Sequence, residues 1–171
     1  MRAQAQAGEI RLAYFDEVGF AQVHPNRSAW TVCGQQHCIE APRGERLNVM
    51  AALFSDGSVI HSSYWCSTTA DLFLGFVAQL AETVTKALVI LIDNASIHRA
   101  RAIQPALRLL EKKGITLKFL PPYSPELNRI EILWRKVKYE WLAFKTRDFK
   151  TLQTDLDDIF AKFGEHYRLT F

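Results

Sequence analysis

The spacing of apolar residues changes near residue 65, and the change predicts the layout of the chain. Before it, the apolar positions fall in short, β-rich runs. Glu9-Ile-Arg-Leu-Ala-Tyr-Phe-Asp16 alternates and predicts a first strand ending at Asp16. Gly19 and His24-Pro-Asn-Arg-Ser28 read as turn punctuation. Ala29-Trp-Thr-Val-Cys33 predicts a second strand, stopped by Gly34, and Arg46 to Phe54 a third. Asp56-Gly57 is a strong hairpin signal, with Ser58 to Trp65 as the returning strand.

Beyond residue 65 the period becomes helical. Thr68 or Thr69 can cap a helix carrying Leu72, Phe73, Phe76, Val77, Leu80 and Val84 on one face. Val89-Ile-Leu-Ile92 is a continuous apolar run, too short for a helix, and predicts a strand buried on both faces. A basic amphipathic helix follows from Arg99 to Lys113, with Ile103, Leu107 and Leu110 inward and Gly114 as its stop. Ile115 to Leu120 predicts another strand, which Pro121-Pro-Tyr-Ser-Pro125 ends abruptly. A long helix from about Leu127 to Phe144 and a shorter one from Leu152 to Phe163 complete the chain. Strands first, then alternating helix and strand, predict an α/β fold with a mixed sheet.

With 171 residues the chain suffices for one domain with a real core. Residues 1–8 read as a polar, flexible lead-in, and no apolar run is long enough to span a membrane. Its three cysteines, Cys33, Cys38 and Cys66, give no disulfide framework and suggest a reducing compartment. Together with His37 and His61 they match no standard zinc spacing. Net charge is only +3, but it is uneven. Residues 99–150 hold 13 Lys/Arg against 5 Asp/Glu, a bias that suits a polyanionic partner or, more plainly, solvated helix faces.

The chemistry concentrates on three acids. Asp16 and Asp93 each close a predicted strand, and α/β sheets place their ligands at such ends. Glu131 lies on the shoulder of the apolar stripe formed by Ile130, Leu133, Trp134, Val137 and Trp141. Taken singly, these residues also read as a turn cap, a helix cap and a surface glutamate. Brought together, two carboxylates about 4 Å apart repel by about 4 kcal/mol at an effective dielectric of about 20. A divalent cation reverses that sign, and oxygen-only donors suit Mg²⁺ or Mn²⁺ rather than zinc.

Three blocks carry a resemblance: Tyr14-Phe-Asp16-Glu17-Val-Gly-Phe20, Ile92-Asp93-Asn94-Ala-Ser-Ile-His98, and Leu120-Pro-Pro-Tyr-Ser-Pro-Glu-Leu-Asn-Arg-Ile-Glu131-Ile-Leu-Trp134. Together they resemble the catalytic domain of mariner-like DDE transposases, most of all the bacterial insertion-sequence branch known as the six-thirty group. The proline-rich block is the most specific, and 37 residues separate Asp93 from Glu131, a spacing that fits the branch. The resemblance implies a ribonuclease H-like fold over residues 9–171, a mixed five-stranded sheet flanked by helices. It implies that Asp16, Asp93 and Glu131 are the catalytic, metal-binding carboxylates, holding two Mg²⁺ or Mn²⁺ ions. The implied reaction is cleavage of DNA at transposon ends and strand transfer into target DNA.

Glu17, Asn94, His98 and Asn128 also match motif positions. Asn94 and Asn128 are expected to orient the carboxylates from behind. His98 is expected either to meet a phosphate or stabilise a leaving group, or else to cap or pack locally. Arg129, Arg135, Lys136 and Lys138 are expected to contact DNA phosphates, and Trp134 and Trp141 to be core. Arg27 and Trp30 fall where the family has an Arg-x-x-Trp block and carry no expected catalytic role.

Relatives carry N-terminal helix-turn-helix modules that bind transposon ends, whereas only eight residues precede the expected first strand here. The chain is therefore expected to be a catalytic fragment, or one product of a split reading frame. Its partners would be DNA, a second copy as a homodimer, and a separate helix-turn-helix domain. The setting implied is the bacterial cytoplasm, at the nucleoid. Two other readings remain: another ribonuclease H-like nuclease, which the proline-rich block disfavours, and a non-catalytic DNA-binding remnant.

Overall fold

A computed structural model describes residues 1–23, 30–35 and 46–169. Five strands form one mixed sheet: β1 (Arg11–Ala21), β2 (Arg46–Phe54), β3 (Val59–Tyr64), β4 (Leu88–Ile92) and β5 (Ile115–Phe119). Their spatial order is β3-β2-β1-β4-β5. The first three form an antiparallel meander, and β4 and β5 add parallel to β1. Each parallel addition needs a crossover. The first contains α2 (Ala70–Thr83) and the second α3 (Gln104–Lys112). After β5 come α4 (Ile130–Lys136) and α5 (Phe149–Ala161).

Strand alternation divides the interior into two cores. Leu12, Tyr14 and Phe20 of β1 pack with Ile130, Leu133 and Trp134 of α4 and with Leu152, Leu156 and Ile159 of α5. Ala13 and Phe15 point the other way, to Phe73, Phe76 and Leu80 of α2 and to Ile90 and Ile92 of β4. Thr69 caps α2 by accepting from the Leu72 amide, and Asp148 caps α5 by accepting from that of Thr151.

Several expectations are corrected. The first strand does not stop at Asp16: it runs on to Ala21, because β2 continues the ladder from Asp16↔Ala51 to Ala21↔Arg46. Gly19 is a strand residue, not a turn residue; a Cβ there would come within 3.1 Å of the Asn48 side chain. Trp30–Cys33 is not a strand; Trp30 and Val32 are exposed and pair with nothing in the sheet. Ala29, Arg27, His37 and Cys38 lie outside the described residues.

The basic helix from Arg99 begins instead as two 3₁₀ turns, Ser96–Arg99 and Arg101–Ile103, separated by an extended Ala100. Pro105, which cannot donate to a preceding turn, then starts α3. The long helix from Leu127 is shorter than expected: α4 passes at Val137 into a single π turn, Val137–Trp141, closed by a Leu142 amide donating to the Val137 carbonyl at 3.0 Å. In the lead-in, Arg2–Gln6 forms a short helix, α1, with Ala5 against the first core. Among the described residues no helix is long and apolar enough to cross a membrane.

Candidate active site

The site is built from the two strands at the centre of the sheet. Tyr14 of β1 pairs with Leu91 of β4 in parallel register. Two residues further along each chain stand Asp16 and Asp93, on neighbouring segments at one end of the sheet. Asp16 shares the face of Tyr14 and looks toward α4, where the Trp134 indole N–H donates to its Oδ2 at 3.0 Å. Its carboxyl is pushed up from 3.8 to about 7. Burial is the main cause and the nearby Glu131 carboxylate adds to it; the Glu17 amide and the Trp134 indole oppose it by donating hydrogen bonds.

Asp93 is exposed, just beyond β4. Its Oδ1 accepts from the Ala95 amide at 3.0 Å and lies 2.7 Å from His98 Nδ1. His98 is fully buried, with its ring against Phe15 and Phe73. Its Nε2 lies 3.1 Å from Glu17 Oε2. The imidazole therefore bridges two carboxylates from two strands, Glu17 on the α2 face of β1 and Asp93 after β4. Burial alone would lower the His98 pKa; hydrogen bonds and charge from Glu17, then Asp93, outweigh it and raise it. With both nitrogens engaged and no exposed surface, the ring is not placed to meet a phosphate.

Asn94 and Asn128 act on backbone, not on carboxylates. Asn94 donates to the Leu120 carbonyl, where the proline-rich loop leaves β5. Asn128 donates at 2.9 Å to the carbonyl of Phe15, the residue before Asp16. The loop from Leu120 to Pro125 and the start of α4 then close a cleft of about 440 Å³, lined by Asp16, Asp93 and Glu131 together. Glu131 is exposed in the first turn of α4.

Among the described residues, no group of three or more His, Cys, Asp or Glu is gathered tightly enough to form a ready metal cluster. The three acids share a cleft but are not drawn to one point. Their donor set is nonetheless all oxygen, and a buried Asp16 facing Glu131 is a place where positive charge is favoured.

The four expected DNA contacts differ among themselves. Arg129 lies over the Tyr14 ring, and Arg135 is exposed. Lys136 is paired with Glu140 one turn on. Lys138 is partly buried beside the Phe20 ring; burial lowers its pKa, the charges of Glu131 and Asp16 oppose that, and Arg46 adds to the lowering. Two contributions escaped the sequence. Trp134, expected only as core, is also a donor to Asp16. Glu17, the residue after Asp16, is turned by strand alternation to the opposite face, where it holds His98. The i, i+3 spacing of Glu131 and Trp134 was the available signal for the first.

A sequence model of the family described as DDE superfamily endonuclease matches residues 11–153. An insertion element IS630 uncharacterized 39 kDa protein from Shigella sonnei is 29% identical over 133 residues, which is 75% of this chain and 38% of that protein. The Mos1 transposase paired-end complex with left transposon end superposes with a TM-score of 0.70 at 20% identity, covering 94% of this chain and 50% of that one. The Mos1 mariner paired end complex with Mn gives 0.70 at 18% identity, covering 94% and 51%. The chain thus spans about two fifths of that relative and about half of each Mos1 chain, and the likeness extends to the mixed five-stranded, ribonuclease H-like sheet. By the family match over most of its length, this chain belongs to the DDE superfamily endonucleases.

Proposed function

We propose that this chain is the catalytic domain of a DNA transposase, cutting phosphodiesters at the ends of an insertion element and joining the freed 3′ ends to target DNA. The observation that carries the reading is that Asp16, Asp93 and Glu131, from three elements far apart in sequence, line a single cleft. Membership of the endonuclease family and the likeness to Mos1 complexes, which include transposon ends and Mn, support it.

The same three carboxylates would hold divalent metal, Mg²⁺ or Mn²⁺, as two ions per site. The chemistry such ions would supply there is activation of an attacking oxygen and stabilisation of a leaving one. The chain's own residues prepare the place. Trp134 fixes one oxygen of Asp16, and Asn128 fixes the backbone that carries it. His98 holds Asp93 at the cleft and neutralises Glu17 behind it. Asn94 ties the proline-rich loop to the end of β4. Arg129, Arg135, Lys136 and Lys138 would take the DNA backbone. A homodimer on paired ends, a separate helix-turn-helix domain for end recognition, and a cytoplasmic, nucleoid-associated setting belong to the same proposal.

The test is Mg²⁺- or Mn²⁺-dependent nicking of DNA by the chain and by Asp93→Asn. The expected result is metal-dependent nicking that falls at least a hundredfold in the variant, on the order of the loss when a group stabilising the transition state is removed. Equal nicking by both proteins would reject the site.

A further inference from the structure

The proline-rich loop holds a residue that folding does not explain. Tyr123 has φ +55°, and among the described residues it is the one non-glycine with positive φ. That region suits glycine or asparagine, and an aromatic residue there is strained. The strain is not offset by burial, because the side chain is 101% exposed and its ring packs on nothing. The backbone strain disfavours the folded state and the exposed ring gives nothing back, so a role outside folding accounts for the residue.

Its mounting is rigid. Pro121 and Pro122 precede it, Pro125 follows, and Asn94 ties Leu120 to the end of β4. The loop forms one wall of the cleft that contains the three acids. Exposed Pro121, Pro122, Pro125 and Leu127 flank it, so the loop offers apolar surface of its own; its place on the wall of the cleft that holds the three acids is what favours a nucleobase over a protein partner. A lone, rigidly held ring with open faces suits a flat partner, and base–aromatic stacking takes any base.

We propose that Tyr123 is a stacking platform for a nucleobase beside the phosphodiester held in the cleft. This rests on the proposed DNA-cleaving role of that cleft. Tyr123 positions the strand and takes no part in the chemistry. Only its ring is needed, not its hydroxyl.

The probe is a short duplex with a single-stranded 3′ overhang, carrying 2-aminopurine at each overhang position in turn, in Mn²⁺. Wild-type protein should quench the fluorescence at one position. Tyr123→Phe should keep the quench. Tyr123→Ala should abolish it and weaken binding about tenfold, within the range for one stacked base. Tyr123→Gly should lose the quench as well, yet raise Tm by about 2–4 °C, as the backbone strain is relieved. That gain shows the loss of binding is not a loss of folding. Unchanged quench and affinity in Tyr123→Ala would overturn the proposal, and so would a Tyr123→Phe variant as impaired as the alanine. A wild-type quench with no metal-dependent nicking would instead reject the catalytic reading and leave the platform standing.

Discussion

Asp16 bears a charge whose cost depends on pH. Its carboxyl titrates near 3.8 when exposed and at about 7 in the fold, chiefly because it is buried and then because Glu131 faces it. Between those values the folded chain binds more protons than the unfolded one, so stability falls as pH rises through that window. His98 acts in the same direction. Its pKa is raised, so its contribution is complete below about 6.5 and is lost as pH rises through its folded value. In chelator, denaturant titrations should therefore show the chain more stable at pH 5 than at pH 8. Asp16→Asn should gain on the order of 2 kcal/mol at pH 8 and little at pH 4. Parallel profiles for the two proteins would mean that Asp16 is not desolvated. At this scale the sequence pointed to three acids that the fold brings to one cleft. It was silent on how they are held, because Trp134, Glu17 and His98 act through contacts between residues up to 118 positions apart.

The elements were legible wherever the local pattern, a regular period or a short continuous apolar run, signals burial. The hairpin at Asp56-Gly57, the Thr69 cap and the strands β2 to β5 follow from local pattern. The misses share a cause, which is that a neighbour decides. β1 outlasts its own alternation because β2 supplies partners as far as Ala21. Trp30–Cys33 has strand-forming residues but pairs with no strand of the sheet. The segment from Val137 onward changes to a π turn and then leaves the helix, and Arg147 secures the stretch between that turn and α5. Its buried guanidinium donates to the carbonyls of Ala143 and Lys145 and to Asp155 of α5. Partial burial alone would raise the Asp155 carboxyl; hydrogen bonds and charge from Arg147 and Lys145 outweigh it and lower its pKa. Arg147→Ala should cost about 2–4 kcal/mol, the range for losing charged hydrogen bonds at a buried group. Chemical denaturation would measure the loss, and amide exchange should localise it first to residues 142–148.

The whole molecule presents a sheet with a helical layer on each face and its acids at one end, beside a basic C-terminal half. If Arg129, Arg135, Lys136 and Lys138 all neutralise phosphates, the logarithm of DNA affinity should fall against the logarithm of salt with a slope of about −3.6. Arg135→Ala should flatten that slope by about 1. Lys136→Ala should change it less, since Glu140 already competes for that ammonium. A salt titration of duplex binding by fluorescence anisotropy gives both numbers. A slope near zero would remove these residues from the DNA interface. The fold class was legible from the order of strand and helix signals. The division into two cores was not, since it depends on which face of β1 each helix covers.

Asp16 sits inside a paired strand, its backbone held by Asn128 and its side chain by Trp134, whereas Asp93 lies past the end of β4 and Glu131 is exposed on the first turn of a short helix. One oxygen of Asp93 is held as well, by the Ala95 amide and the buried His98 ring, so Glu131 is the adjustable corner of the cleft. Swapping an ion for one of different radius would be accommodated by Glu131, and a side chain one methylene longer at position 16 would find no slack to take it up.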